Sequence, residues 1–205
     1  MRVRRPIRFL ALSGILGIAL GAVSVRADDA VILQLDWLPT GHHQAPFAGI
    51  KEGYFKEERI DLEIRRGLGA ADALTKVATG AAQFGFTDIV NVMSTPATRV
   101  KAIMSIDFQV PHALITRTDT GIRSFADLPG HTVATAPTAS SNMFFPLVLK
   151  DAGVDIGKVK IVNVDPSALA PMLLTKRVDS VMMWLTNLGP RLKPEARPEN
   201  PLDLG

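Results

Sequence analysis

The sequence predicts an α/β fold, in which helices pack against sheets that contain parallel strands. Segments with the composition of strands alternate with helix-like segments over residues 31–184, and this order is typical of strand–helix–strand units. Turns rich in glycine, proline and polar residues separate the segments. The chain shows neither an internal repeat nor a low-complexity tract, so a repeat architecture is not expected.

The first half of the chain is predicted to contain four strands and three helices. Residues 31–37 (VILQLDW) are aliphatic and β-branched and stop before Pro39, which indicates a buried strand. Residues 60–65 (IDLEIR) alternate between apolar and charged, as in a strand with one exposed face. Gly53 and Gly80 each follow a helical segment and are suited to end it. In order, we predict strand 31–37, helix 45–53, strand 60–65, helix 73–79, strand 83–86, helix 88–93 and strand 100–108.

The second half continues the alternation. In order, we predict strand 112–117, a turn at 118–121, a one-turn helix within 124–130, strand 131–135, a helix that follows 138–142 and ends near 152, strand 159–164, helix 167–176 and strand 178–184. Pro171 lies inside the last of these helices, where proline kinks a helix unless it occupies the first turn. Beyond Gly189 the chain is rich in proline and charge, and we expect a loop there.

The first 27 residues have the three parts of a secretory signal peptide. Residues 1–8 carry four arginines and no acid, residues 9–23 are almost wholly apolar or small, and residues 25–27 (VRA) resemble a signal-peptidase site. The apolar run of about 15 residues is shorter than the roughly 20 that a membrane-spanning helix needs. We therefore predict a cleaved signal peptide over residues 1–27 in preference to a membrane anchor.

Charge and cysteine content restrict the class of protein. Without residues 1–27 the formal charge changes from +3 to −2, because that segment holds five arginines and no acidic residue. The remaining chain has no basic patch of the kind that binds nucleic acid, so nucleic acid is not an expected partner. The chain has no cysteine, and an exported form therefore depends on its core instead of disulfides. Residues 28–205 suffice for one core or two small lobes.

Residues 35–55 (LDWLPTGHHQAPFAGIKEGYF) join the first strand to the first helix and contain the first candidate ligand contacts. Ligands of open α/β sheets bind outside the carboxyl ends of the strands, at turns of this kind. Trp37 either packs in the core or stacks on an apolar ligand. His42 and His43 are candidates because a neutral imidazole both donates and accepts hydrogen bonds. Adjacent histidines without further ligands at suitable spacing do not predict a metal site.

Two further loops are candidate walls of a cleft. Gly67 and Gly69 precede a helix, and glycine lets a backbone approach a ligand closely. Their pattern lacks the third glycine and the acidic residue of a dinucleotide site. Ser140, Ser141 and Asn142 begin another helix, which they are suited to cap. Free N–H groups at that helix start also suit a polar or anionic ligand group.

The sequence lacks the common catalytic motifs. It contains no G-x-S-x-G elbow, no cysteine, no phosphate-binding glycine loop and no set of Ser, His and acid that the sequence brings together. We therefore expect neither an enzyme nor a cofactor.

The order and spacing of several motifs resemble one known family. The motifs are D-W-x-P at residues 36–39, a His-containing loop at 42–43, K-x-G-Y-F at 51–55, VATGAAQFGFT at 77–87, F-A-D-L-P-G at 125–130, and the helix and strand run over 159–184. Together they are similar to the THI5/NMT1-like solute-binding proteins, a group that includes sulfonate, nitrate and pyrimidine-precursor receptors of ABC importers. The similarity covers residues 31–185. The loop T-G-H-H departs from the N-T-N-H-like loop of pyrimidine-precursor members, which weakens transfer of their ligand.

The resemblance implies a two-lobed periplasmic-binding-protein fold of type 2 that closes on its solute by hinge motion. Lobe one would span residues 28–107 and lobe two residues 108–205. Family members usually run further, so we expect a truncated C-terminus and an incomplete second lobe. The family's cleft-lining positions correspond here to Trp37, His42, His43, Gly67, Gly69, Asp88, Asn91, Ser140, Ser141, Asn142 and Trp184.

The implied function is that of a receptor in the periplasm. It would bind a small organic solute, such as a pyrimidine or thiamine precursor or a sulfonate, and deliver it to the permease subunits of an ABC importer. We expect a monomer with no bound metal. Two alternatives stay open. One is the pyrimidine-precursor synthase branch of the family, which is cytosolic and has a cysteine-rich iron-binding run that this chain lacks. The other is a fragment without function.

Overall fold

The computed structural model describes residues 28–95, 99–107, 112–185 and 202–203. Within these ranges the chain is an α/β protein with eight β-strands and six α-helices. The strands are β1 (Asp29–Gln34), β2 (Ile60–Arg65), β3 (Phe84–Gly85), β4 (His112–Thr116), β5 (Thr132–Thr135), β6 (Lys160–Asn163), β7 (Ser180–Trp184) and β8 (Leu202–Asp203). The α-helices are α1 (Gln44–Glu52), α2 (Tyr54–Glu57), α3 (Ala70–Ala78), α4 (Ile89–Ser94), α5 (Ser141–Asp151) and α6 (Pro166–Leu174).

The first sheet consists of three parallel strands in the order β2–β1–β3. β1 and β2 pair along their whole length, from Asp29 opposite Ile60 to Gln34 opposite Arg65. β2 alternates half-buried and exposed residues, as its apolar and charged residues predict. Helix α1 connects these strands and ends at Gly53, whose φ of 86° is the left-handed conformation that glycine adopts without a steric penalty.

The second sheet has five strands in the order β6–β5–β7–β4–β8. β5 pairs in parallel with β6 and β7, whereas β4 is antiparallel to β7 and β8. Helix α5 covers one face through Phe145 and Leu149, and helix α6 covers the other through Leu169 and Leu173. The central strands β4 and β7 are therefore buried on both faces, which explains their nearly continuous apolar sequences.

Trp37 belongs to the core on the α6 side of the second sheet, although the chain reaches it directly from the first sheet. Its neighbours in that cluster include Ile115 and Val181. The indole thus packs the first strand-to-helix connection against the second sheet.

The first strand is shorter than predicted, since β1 ends at Gln34 and not at Trp37. The Gln34 side-chain amide donates to the carbonyl oxygens of Leu35 at 3.0 Å and Arg66 at 2.7 Å. These bonds satisfy a buried polar side chain at the end of the strand.

The predicted strand at 100–108 is wrong over the described residues 99–107, which contain neither helix nor strand. Ile103 and Met104 are 78% and 75% exposed, and the Ser105 hydroxyl donates to the Asp107 carbonyl in a local bond of 2.9 Å. Apolar composition indicates a strand only where a neighbouring strand offers ladder bonds. Conversely, Leu202–Asp203 pairs with β4 in a region that we predicted to be a loop.

The remaining predicted elements are confirmed within a few residues. The helix predicted at 167–176 is α6, which starts with Pro166 and accommodates Pro171 within it. The one-turn helix is a 3₁₀ turn over Phe125–Asp127, held by a capping box between Ser124 and Asp127.

The predicted signal peptide, residues 1–27, lies outside the described residues. Among the helices that the structure describes, none is long and apolar enough to cross a membrane. The first sheet draws on residues 29–85 and the second on residues 112–203; the predicted lobes, 28–107 and 108–205, stay a prediction.

Candidate functional site

A cavity lies between the end of β1 and the second sheet. Its volume, measured over the positions that the centre of a water-sized sphere can take, is about 20 Å³. This volume corresponds to about one water molecule. The described residues that line it come from strands β4 and β7, from the connections after β1 and before α5, and from the first residues of α3 and α5, namely Asp36, Trp37, His43, Ala70, His112, Ala139, Ser140, Ser141, Met182, Met183 and Trp184.

A buried pair of Asp36 and His43 forms the wall on the side of the first sheet. Asp36 lies two residues after the end of β1, and His43 ends the one-turn helix that precedes α1. Asp36 Oδ1 and His43 Nε2 are 2.7 Å apart, and both side chains are almost inaccessible to solvent. The other ring nitrogen, Nδ1, lies 3.4 Å from the Thr40 hydroxyl. These contacts fix the orientation of the imidazole.

The His42 ring contacts the His43 ring edge-on, with ring centroids 4.9 Å apart, but its ring nitrogen has a different carboxylate partner. Its Nδ1 lies 3.0 Å from Asp107 Oδ2. Its ring meets Trp184 edge-on with ring centroids 4.8 Å apart, and Phe86 at 5.7 Å. His42 therefore connects the first strand-to-helix loop to the end of β7.

A second polar cluster, Asp88, His112 and Ser140, connects the first sheet's side of the cavity to the second. Asp88 precedes α4, His112 begins β4, and Ser140 precedes α5. Asp88 Oδ2 lies 3.0 Å from His112 Nε2 and accepts a hydrogen bond from the Ser140 hydroxyl. Burial on its own raises the pKa of the Asp88 carboxyl, but the hydrogen bonds from His112 and Ser140 outweigh burial and lower the pKa below its ordinary value.

This cluster does not have the geometry of a nucleophilic triad. A triad places the acid on one imidazole nitrogen and the hydroxyl on the other. Here Asp88 and Ser140 both approach His112 Nε2, at 3.0 and 3.1 Å, and the Ser140 proton goes to the carboxylate. The arrangement holds elements together and does not activate the hydroxyl.

Two buried polar atoms of the cavity-lining residues have no hydrogen-bond partner within the described part of the chain. They are His112 Nδ1 and the Ser141 hydroxyl oxygen. Buried polar atoms are normally satisfied by protein, water or a ligand. Because their residues line the cavity, we treat both atoms as candidate contacts of a bound molecule.

The glycine-rich loop before α3 contacts backbone instead of the cavity. A Cβ on Gly69, whose φ is +153°, would lie 2.3 Å from the Thr138 carbonyl oxygen. A Cβ on Gly67 would lie 2.2 Å from the Leu35 carbonyl oxygen. Close approach also permits a hydrogen bond from the Ala71 N–H to the Thr138 carbonyl at 3.1 Å.

The structure brings five of the predicted site residues together at the cavity: Trp37, His43, Ser140, Ser141 and Trp184. Six others do not line it, namely His42, Gly67, Gly69, Asp88, Asn91 and Asn142. His42 and Asp88 contact lining residues, as described above. The Asn142 side chain accepts a hydrogen bond from the Thr135 hydroxyl and donates one to the Ala136 carbonyl. These bonds hold the loop between β5 and α5. That any of these residues binds a ligand stays a prediction.

Sequence reasoning missed six lining residues, which are Asp36, Ala70, His112, Ala139, Met182 and Met183. Asp36 stands in the D-W-x-P motif, and a carboxylate at a strand end is a recognisable signal. His112 opens a predicted strand, and nothing local in the sequence shows that Asp88 reaches it. The alanines and methionines carry no polar signal.

In the described ranges, no group of three or more His, Asp or Glu side chains is placed to hold a metal ion.

Comparison with known proteins places these features in a family. The family model described as NMT1/THI5 like matches residues 40–202. A formylaminopyrimidine-binding protein of Halalkalibacterium halodurans is 25% identical over 187 residues, which are 88% of this chain and 56% of that protein. The chain spans about half the length of the curated relatives it matches.

Solved structures share the fold at low sequence identity. The alkanesulfonate-binding protein SsuA from Xanthomonas axonopodis pv. citri, bound to MOPS, is similar with a TM-score of 0.59 at 11% identity, over 78% of this chain and 56% of that chain. The periplasmic aliphatic sulphonate binding protein SsuA from Escherichia coli gives a TM-score of 0.51 at 16% identity, over 77% and 55%. These likenesses confirm the type 2 periplasmic-binding-protein fold. With the family model matching most of its length, the chain belongs to the NMT1/THI5-like family.

Proposed function

We propose that the protein is the solute receptor of an ABC importer, acts in the periplasm and performs no chemistry. The observation that carries this proposal is the cavity, which is lined by strands of the second sheet and by loop and helix residues that follow strands of the first sheet. A site shared in this way couples binding to the relative position of the two sheets, and receptors of this architecture signal occupancy by closing.

The composition of the cavity supports binding of a small organic molecule. Trp37, Trp184 and two methionines supply apolar surface, while Asp36 and Ser141 supply a few polar contacts. This mixture is typical of ligand pockets. A cavity with room for about one water must widen to admit an organic solute, so we propose that the two sides separate during exchange.

The solute candidates are a pyrimidine or thiamine precursor, a sulfonate or a similar small molecule, and the partners are the permease subunits of the importer. The names of one relative and of two solved structures support these candidates. The absence of triad geometry around His112 supports a receptor over an enzyme.

A ligand screen by thermal shift tests the proposal. The whole chain is expressed with residues 1–27 and recovered from the periplasm of a bacterial host, and its mass shows whether that segment is removed. Purified protein is then melted with pyrimidines, thiamine precursors, riboflavin, taurine, alkanesulfonates and nitrate. A molecule that binds only the folded state raises the midpoint as its concentration increases. At least one saturable shift is expected.

Two serine variants form a matched pair for the screen. Ser141 and Ser180 both have buried hydroxyl oxygens without a partner among the described residues, but only Ser141 lines the cavity. Ser141→Ala is expected to abolish or reduce the ligand-induced shift, whereas Ser180→Ala retains it. A cooperative melt that no compound shifts, or a shift that Ser141→Ala leaves intact, contradicts the proposed site.

A further inference from the structure

The cavity wall also specifies the charge of the solute, an inference that rests on the proposed function. We propose that the solute is a small organic cation whose protonated nitrogen, an ammonium or amidinium group, carries N–H donors. This inference narrows the candidates named above, because the cavity would then reject sulfonates and other anions. Charge, hydrogen-bond polarity and aromatic surface support this assignment independently.

Carboxylates are the acidic or basic side chains, other than histidine, found at the described part of the cavity wall. Among the residues that the structure describes, the lining includes one carboxylate, Asp36, and neither lysine nor arginine. A second carboxylate, Asp88, contacts the lining residues His112 and Ser140. Its lowered pKa keeps it ionised at neutral pH. Arg66, which lies on the loop beside Gly67, is ion-paired with Asp165 at 3.2 Å and is not among the lining residues. An anion buried here would lack a compensating cation, which is strongly unfavourable.

The free hydrogen-bonding groups are mainly acceptors. Asp36 Oδ1 contacts His43, while Oδ2 has no hydrogen bond to any described residue. When His112 donates from Nε2 to Asp88, its neutral ring accepts at Nδ1, whereas a doubly protonated ring would bury an N–H without an acceptor. The Ser141 hydroxyl can donate or accept. Such a wall complements N–H donors and opposes a sulfonate, which has only acceptors.

Aromatic surface completes the set. Trp37 and Trp184 both line the cavity, and indole is the side chain that most strongly attracts a neighbouring cation. A protonated nitrogen in the cavity would therefore have a carboxylate, an imidazole and two indoles among the residues that surround it.

Two sets of compounds, each with the same phenyl or phenylethyl part and a cationic, neutral or anionic head group, test this inference on the full chain. One set is benzamidine, benzamide and benzenesulfonate; the other is 2-phenylethylamine, 2-phenylethanol and 2-phenylethanesulfonate. Affinities are measured by calorimetry at neutral pH. The cation of each set is expected to bind at least about tenfold more tightly than its neutral analogue, and the sulfonate is expected not to bind.

Variants of single carboxylates test whether Asp36 causes the preference for a cation. Asp36→Asn removes the charge at nearly constant shape and is expected to weaken the cation by at least about tenfold while leaving the neutral analogue unchanged. Asp61→Asn, at an exposed position of β2, is the matched control and is expected to change neither. If Asp36→Asn does not melt cooperatively, the comparison of cation with sulfonate on the unmodified chain decides.

The outcomes separate this inference from the receptor proposal. A sulfonate that binds more tightly than its matched cation, or a cation affinity that a folded Asp36→Asn variant retains, overturns the inference and leaves the receptor in place. If none of the six compounds binds but a solute of the wider screen does, the charge of that solute decides. If nothing binds in either experiment, both proposals are wrong.

Discussion

At the scale of single residues, the site is organised by histidine–carboxylate pairs. His43 with Asp36, His42 with Asp107 and His112 with Asp88 each approach within 3.0 Å or less. Pairing satisfies buried polar groups that would otherwise be costly. It also fixes the imidazole rings, so that the atoms left free have defined positions.

Asp88 gives a prediction for stability and pH. Its folded pKa is lowered, so its contribution to the free energy of unfolding is fully present above the unfolded pKa, about 3.9. The contribution is lost as pH falls through the lower folded pKa. We expect Asp88→Asn to reduce the free energy of unfolding by roughly 1–3 kcal/mol at pH 7, and the difference from the unmodified chain to shrink below about pH 4.

Chemical denaturation between pH 3 and pH 8 measures this effect, with Asp61→Asn as the control for loss of an exposed carboxylate. A difference that stays constant across that range would show that the Asp88 charge does not stabilise the fold.

At the scale of elements, the loop before α3 depends on glycine to approach the loop before α5. Gly69 has a φ of +153°, and a Cβ atom at this position would overlap the backbone of Thr138. The Thr138 hydroxyl donates in turn to the Leu68 carbonyl at 2.9 Å. The two loops are thus joined by backbone contacts that no side chain at Gly69 could permit.

Alanine substitution tests the role of this contact. Gly69→Ala is expected to lower the free energy of unfolding by at least about 3 kcal/mol, because backbone strain and overpacking add. Gly80→Ala is the control, since Gly80 has a φ of +78° and open space around its Cβ position. Its expected cost is about 1–2 kcal/mol, from conformation alone. Equal costs in thermal or chemical unfolding would contradict the close loop contact.

The sequence predicted most elements because their signals are local. The alternation in Ile60–Arg65 and the stop at Gly53 depend on residues adjacent in the chain. The strand predicted at 100–108 failed for the opposite reason. A strand needs hydrogen bonds from a neighbouring strand, and residues 99–107 form no strand in the structure. β8 is the converse case, because its partner β4 is remote in sequence.

The candidate site was predictable where a residue follows a strand or precedes a helix. Trp37, His43 and Ser141 have such positions, and all line the cavity. His112 could not be predicted, because its role comes from Asp88 and Ser140, which are 24 and 28 residues away in sequence. Glycine was predicted to admit a ligand at Gly69, whereas the structure places the Thr138 backbone there.

At the scale of the whole molecule, polar contacts join the first sheet's side of the cavity to the second sheet and would resist the proposed separation. Arg66 and Asp165 form an exposed ion pair at 3.2 Å, and pairs of this kind contribute little. The Asp88, His112 and Ser140 cluster is more buried. We therefore assign most of the polar resistance to the proposed opening to that cluster, two of whose members, His112 and Ser140, line the cavity.

The most direct test of the central claim, that a solute binds in the cavity between the two sheets, uses the protein's own fluorescence. The chain has two tryptophans, Trp37 and Trp184, and both line the cavity. Intrinsic fluorescence is titrated with whichever compound raises the melting midpoint most. If the solute binds in the cavity, tryptophan emission changes saturably, with the same dissociation constant as the thermal shift. A compound that stabilises the fold saturably but leaves the emission of both tryptophans unchanged would bind elsewhere, and this result would contradict binding in the cavity.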